Sequence, residues 1–293
     1  MSIFKGVGVA LVTPMTEDGI AFDEYGKLLD HVIEGGADAV IVGGTTGEPS
    51  TMTEEERVAM FRYAVKKVDH RVPVIIGTGS NNTASAVKMS RIAEAEGADG
   101  LLVVTPYYNK CTQGGLIAHY TAIADAVNVP IVLYNVPTRT GLRIAPATAA
   151  KLSEHKNIVA IKDASENIDD LLAMCQACAG KLDIYSGNDS YTVFLMALGA
   201  IGVISVVANV VPGEMKKITD ACFAGKYDEA RAMSFRLDPL AKALFMEVNP
   251  IPTKKALEYI GIHAGKPRLP LTEMEPAHAE QLRKVMTDLG IIK

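Results

Sequence analysis

Asp99-Gly-Leu-Leu-Val-Val-Thr105, Pro130-Ile-Val-Leu-Tyr134 and Asn157-Ile-Val-Ala-Ile-Lys162 are the runs whose reading decides the fold. Each is short, apolar and rich in β-branched residues, without polar alternation. Continuous hydrophobicity of this kind marks strands buried on both faces, the condition of a parallel sheet. Outward from this centre the same kind of run recurs. Val7 to Thr13, Asp38 to Val42 and Val72 to Thr78 precede it, and Leu182 to Ser186 and Ile201 to Val206 follow. The eight runs begin 19 to 34 residues apart. Between them, apolar residues fall at threes and fours, as in Tyr25, Leu28, Leu29, Val32 and Ile33, or Val58, Phe61, Ala64, Val65 and Val68. Segments 84–95, 119–126 and 169–179 read as helices too, and Thr53-Glu-Glu-Glu56 is a capping box. Eight strand–helix units predict an α/β fold of the (β/α)8 TIM-barrel type. A doubly wound open sheet is the runner-up, although such sheets usually carry fewer strands.

After Pro212 the strand rhythm stops. Helices are expected over 214–223, 227–245, 253–259 and 276–289, separated at Gly225, Asn249-Pro-Ile-Pro252 and Gly265 to Pro270. The expected division is a catalytic barrel over 1–224 and a C-terminal helical domain over 225–293. With 293 residues, 48% apolar and 22% charged, the chain has ample core for both, and disorder is excluded. The net charge of −5 argues against a nucleic-acid partner. The longest apolar tract, Ile201 to Val211, is interrupted by Gly202, Ser205 and Asn209, so no membrane partner is expected. Val7 to Val12 is too short a run for a signal peptide, and the expected location is cytoplasmic. Cys111, Cys175, Cys178 and Cys222 are scattered. The Cys175-Gln-Ala-Cys178 spacing lacks a second pair or clustered His, and packing cysteines are expected.

A barrel carries its chemistry where strands end and the following loops begin. Those points hold glycines, hydroxyls and amides with one lysine, one arginine and three tyrosines, but no His/Asp/Glu cluster, so no metal is expected. Lys162 is the sharpest feature. At the hem of a doubly buried strand a lysine is pressed toward the neutral amine that carbonyl attack requires; pairing with Asp163 or snorkelling to solvent is the bland reading. Gly43-Gly-Thr-Thr-Gly-Glu48 lets backbone N–H groups and two hydroxyls approach a carboxylate or phosphate, or is simply a strand-to-helix turn. Gly77-Thr-Gly-Ser-Asn-Asn82 fails as a dinucleotide fingerprint at Asn82, and no nucleotide cofactor is expected. Tyr134 either packs in the core or relays a proton. Arg139, framed by Pro137 and Gly141, either forks onto a carboxylate or makes a surface ion pair.

In this order the motifs resemble the pyruvate-dependent class I aldolase family that includes the dihydrodipicolinate synthases and the N-acetylneuraminate lyases. The resemblance spans the chain, from Ala10-Leu-Val-Thr-Pro14 to Arg268-Leu-Pro270, and rests on Gly44-Thr-Thr-Gly-Glu48, Tyr134-Asn-Val-Pro137 and Ile161-Lys162. Thr45-Thr46 and Arg139-Thr-Gly141 favour the synthase branch. The resemblance implies that Lys162 forms a Schiff base with pyruvate and that Thr46 holds the pyruvate carboxylate. Tyr134, Thr45 and Tyr108, the last from a neighbouring subunit, would form a proton relay. Arg139 would bind the carboxylate of L-aspartate 4-semialdehyde, and the backbone at Gly187 and Ile204 would line the pocket. It also implies a lyase of lysine and diaminopimelate biosynthesis that needs no cofactor, in a homotetramer built as a dimer of dimers. Asn81 and Tyr107 match a regulatory lysine site. Glu54, Arg57 and Ser85 stand where lysine-sensitive members often have two histidines and a glutamate, which implies weak or absent feedback inhibition. Asp163 and Glu166 depart from the Glu and Gly common in the family. A sugar-acid aldolase is the alternative within the same chemistry. A non-catalytic barrel that binds a small acid is the alternative of another class, and a phosphate-binding isomerase is more remote.

Overall fold

The computed structural model describes residues 2–293, and eight parallel strands close into a barrel. They are β1 (Gly6–Ala10), β2 (Ala39–Val42), β3 (Val74–Gly77), β4 (Gly100–Val104), β5 (Ile131–Asn135), β6 (Ile158–Asp163), β7 (Asp183–Ser186) and β8 (Gly202–Ser205). Every strand lies within one of the apolar runs or overlaps it to within a residue. Neighbours in sequence are neighbours in the sheet, and β8 returns to β1 with Gly8 beside Ile204. Burial on both faces explains the absence of alternation: one face of each strand packs on the surrounding helices and the other fills the barrel. The interior is plugged at its N-terminal end, where Phe4 stacks on Tyr185 at 4.3 Å and the Tyr185 hydroxyl donates to the Phe4 carbonyl at 2.8 Å. The barrel therefore opens only toward the C-terminal ends of its strands.

The helices are α1 (Phe22–Glu34), α2 (Glu54–Val68), α3 (Thr83–Ala95), α4 (Gln113–Ala124), α5 (Pro146–Leu152), α6 (Ile168–Cys178), α7 (Thr192–Ala197) and α8 (Pro212–Phe223). The capping box at α2 is formed: Glu56 N–H donates to Thr53 Oγ1 at 3.2 Å and Thr53 N–H to Glu56 Oε2 at 2.9 Å. Helix α4 begins six residues before the expected 119. Thr112 caps it through the Gly115 N–H, and Gln113-Gly-Gly115 carries no apolar signal. Helices α5 and α7 are too short to show a period and are not apparent in the sequence. Three more helices, α9 (Tyr227–Ala243), α10 (Ile251–Tyr259) and α11 (Pro276–Asp288), form the C-terminal part. Helix α10 starts two residues early because Pro252 is tolerated in a first turn, and α9 stops two residues short of Phe245. Cys175 and Cys178 are free and buried in α6, and burial pushes the Cys178 thiol up to about 12, so it packs as a small apolar group. No described helix is long and apolar enough to cross a membrane.

Candidate active site

Strands β5 and β6 pair so that Tyr134 lies directly beside Lys162. Both side chains point inward, and Lys162 Nζ stands 4.3 Å from the centre of the Tyr134 ring. Lys162 is 5% exposed and Tyr134 6%, although neither is sealed, since both line a cavity of about 690 Å³ at the open end of the barrel. Lys162 makes no ion pair with Asp163. Alternation along β6 sends Asp163 to the other face, where its carboxylate accepts from Asn135 Nδ2 at 3.2 Å and the Ser165 N–H at 2.8 Å. Burial pushes the Asp163 carboxyl above the ordinary range, and those donors pull it partly back.

The loop after β2 supplies Thr45 and Thr46. It leaves the strand through Gly43 and turns once as a 3₁₀ helix over Thr45–Gly47. Close approach of strand ends makes glycine necessary here: a Cβ on Gly77 would meet the Gly43 carbonyl oxygen at 2.2 Å. The turn ends on Glu48, a buried non-glycine residue at φ 57°. Glu48 holds that position because its carboxylate pairs with Lys254 Nζ at 2.6 Å and accepts the Arg268 N–H at 3.0 Å. Both tethers come from the C-terminal part, so α10 and the segment after it hold a wall of the cavity in place.

Arg139 projects from the helical turn Pro137–Thr140, exposed at the cavity mouth, with Nη2 3.4 Å from the Asn249 carbonyl oxygen. Gly187 lines the cavity where the loops after β6 and β7 meet; its N–H donates to the Asp163 carbonyl at 2.7 Å, and a Cβ there would meet Ala164 at 2.6 Å. Ile204 is buried in the interior layer with Ala10 and Tyr134, its side chain packed beneath the cavity. Its residue sits on β8 one position before Ser205, whose hydroxyl bonds the buried Asp189 carboxylate. Tyr108 lies outside this chain's own cavity, 89% exposed at φ 67°.

The residues matched to a regulatory site gather around α2. Asn81 Nδ2 donates to the Tyr107 carbonyl at 3.1 Å, and Arg57 Nη2 to the Gly77 carbonyl at 3.1 Å. Burial lowers the Arg57 guanidinium from its ordinary value, while Tyr107 and Glu54 nearby offset that. Glu54 itself pairs with Lys88 at 2.7 Å. Ser85 contributes its N–H to the Asn82 side chain that caps α3.

Three participants escaped the sequence. Asn249 reads there as a helix break within a stretch shared with the family, not as a site residue, yet it is buried and its Nδ2 donates to Thr46 Oγ1 at 2.9 Å. Asp189 is buried against the cavity, where it accepts from the N–H groups of Val206 and Val207 at 3.0 and 3.2 Å. Lys254 was hidden in a polar helical segment. A buried polar residue leaves no periodic trace when its partner lies on a distant element.

Known proteins resemble this chain along nearly its full length. A profile described as the dihydrodipicolinate synthetase family matches residues 3–289. The chain belongs to that family. A 4-hydroxy-tetrahydrodipicolinate synthase of a Thermoanaerobacter species is 49% identical over 294 residues, covering 100% of this chain and 99% of the relative. The crystal structure of dihydrodipicolinate synthase from Aquifex aeolicus superposes with a TM-score of 0.96 at 43% identity, covering 98% of this chain and 99% of the other. The chloride-inhibited Acinetobacter baumannii enzyme, solved in complex with pyruvate, does so with a TM-score of 0.96 at 42% identity, covering 99% and 100%. The chain is thus an enzyme of this lyase family, with its function in lysine and diaminopimelate biosynthesis.

Proposed function

We propose that this member condenses pyruvate with L-aspartate 4-semialdehyde to 4-hydroxy-tetrahydrodipicolinate, with Lys162 as the nucleophile. The observation that carries this reading is the Lys162 amine, nearly buried at the floor of an open cavity, beside the Tyr134 ring and unpaired with Asp163. The amine adds to the pyruvate carbonyl and water leaves, giving an iminium. Loss of a methyl proton gives the enamine, whose carbon attacks the aldehyde. The amine of the second substrate then displaces Lys162 by attacking the same iminium carbon, which closes the ring and frees the enzyme. Thr46 and the neighbouring backbone hold the pyruvate carboxylate, and Arg139 at the mouth holds that of the semialdehyde. Gly187 and Ile204 supply backbone at the cavity wall.

Tyr134 and Thr45 move protons within one subunit. Tyr108, projecting from its own subunit, completes the relay in a second copy, which makes the working unit at least a dimer; a homotetramer of two such dimers is the assembly we infer. One structural relative is described as a monomeric dihydrodipicolinate synthase variant. The reaction needs no cofactor, and its substrates are small soluble acids of the cytoplasm. Residues 1–224 act as the catalytic barrel and 225–293 as a helical domain that braces it. At the α2 cluster the Arg57 cation stands where a second cation would have to bind, so feedback by lysine is weak or absent.

Borohydride reduction in the presence of pyruvate tests the central step. The wild type gains the mass of a reduced pyruvyl adduct on Lys162, and Lys162→Ala gains none. An adduct that persists in Lys162→Ala overturns the assignment.

A further inference from the structure

We propose that Asn249 is a positioning residue that orients the Thr46 hydroxyl, so that its proton is presented to the pyruvate carboxylate. The inference rests on the reading of Thr46 as a carboxylate ligand. Three buried side chains form a chain that ends at the cavity. Thr253, 0% exposed in the first turn of α10, bonds through Oγ1 to Asn249 Oδ1 at 3.1 Å. With Oδ1 so engaged, the Asn249 amide presents its NH2 end to Thr46, 203 positions away in sequence, and donates to Thr46 Oγ1 at 2.9 Å.

A hydroxyl has one proton and two acceptor sites. With an amide N–H occupying an acceptor site on Oγ1, the Thr46 proton is directed elsewhere, and Thr46 faces the cavity. Were the amide reversed, Thr46 would spend its proton on Oδ1 and offer only lone pairs to an incoming carboxylate, which repels it. Asn249 and Thr46 are both nearly buried, so solvent competes little for the bond between them. Thr253 donates because Oδ1 can only accept, and its bond restrains the amide in this orientation. The backbone of the same Asn249 accepts from Arg139, so one residue abuts both proposed carboxylate positions.

Steady-state kinetics with pyruvate and L-aspartate 4-semialdehyde test the inference. Asn249→Asp keeps the shape but puts an acceptor opposite Thr46. Its pyruvate KM is expected to rise roughly 10- to 100-fold, the loss of a hydrogen bond to a charged group. Its kcat at saturating pyruvate should stay within about threefold, the signature of lost substrate binding. A merely structural role would lower kcat and Tm together without that split. Thr253→Val frees the amide to rotate and is expected to raise the pyruvate KM about 3- to 10-fold, the worth of one ordinary hydrogen bond; it decides the matter if Asn249→Asp does not fold. Thr46→Val separates the two claims. An unchanged pyruvate KM in Thr46→Val overturns the ligand reading itself. A raised KM there, with normal values in Asn249→Asp and Thr253→Val, overturns the positioning role alone.

Discussion

Replacing Lys254 with Met should be among the most damaging single changes outside the cavity. Lys254 and Glu48 are each 2% exposed at the side chain and 2.6 Å apart, so solvent screens the pair very little. At that separation and an effective dielectric constant of about 20, the attraction is roughly 6 kcal/mol before desolvation is counted. Burial works against it, lowering Lys254 from the ordinary lysine value while Glu48 pulls it back up. Removing the lysine therefore does not simply forfeit a bond; it strands the Glu48 carboxylate in a closed site with only the Arg268 N–H as donor. Breaking a buried pair from one side costs about 3–5 kcal/mol, and the surviving Arg268 bond places this case near 3. At about 2–4 °C per kcal/mol for a domain of this size, Tm should fall on the order of 10 °C. The double variant Glu48→Gln with Lys254→Met removes the stranded charge and should recover at least half of that loss. Thermal unfolding of the two single variants and the double variant makes a mutant cycle. A single variant within 1 °C of the wild type, or a double variant whose loss is the sum of the two single losses, would refute the reasoning.

Two further outcomes follow from named contacts. Arg268 donates to both Glu56 oxygens, at 2.8 and 2.5 Å, and holds that carboxyl below its ordinary value. A depressed carboxyl contributes stability that is full above the unfolded value near pH 4.5 and is lost as pH falls through the native one. Glu56→Gln should thus cost about 1 kcal/mol at pH 7 and almost nothing once both forms are protonated; a Tm gap unchanged from pH 7 to pH 3 would contradict the pairing. L-Lysine at micromolar concentration should leave the wild-type rate unchanged, and saturable inhibition in that range in a steady-state assay would show that the Arg57 cluster accepts a cation after all.

How much of this was legible in the sequence follows from the range of the forces involved. Lys162 and Tyr134 stood out because each ends an apolar run, and strand ends in a barrel converge. Thr45 and Thr46 stood out through their glycine-rich setting, which a close backbone approach requires. Helices α5 and α7 were missed for want of length, and the start of α4 because a cap and two glycines precede its apolar face.

Local hydrophobic pattern, acting over a few residues, was enough to determine eight buried strands, their order and the open end at which the chemistry collects. It singled out Lys162 as well, because a lysine at the close of such a strand has few places to go. The tertiary structure alone decided what holds the site in shape. Asn249 meets Thr46, Lys254 meets Glu48 and Asp189 meets the loop after β8 across separations of up to about two hundred residues. Each of those contacts is a buried polar bond whose partner is chosen by packing, and no run or period along the chain records that choice.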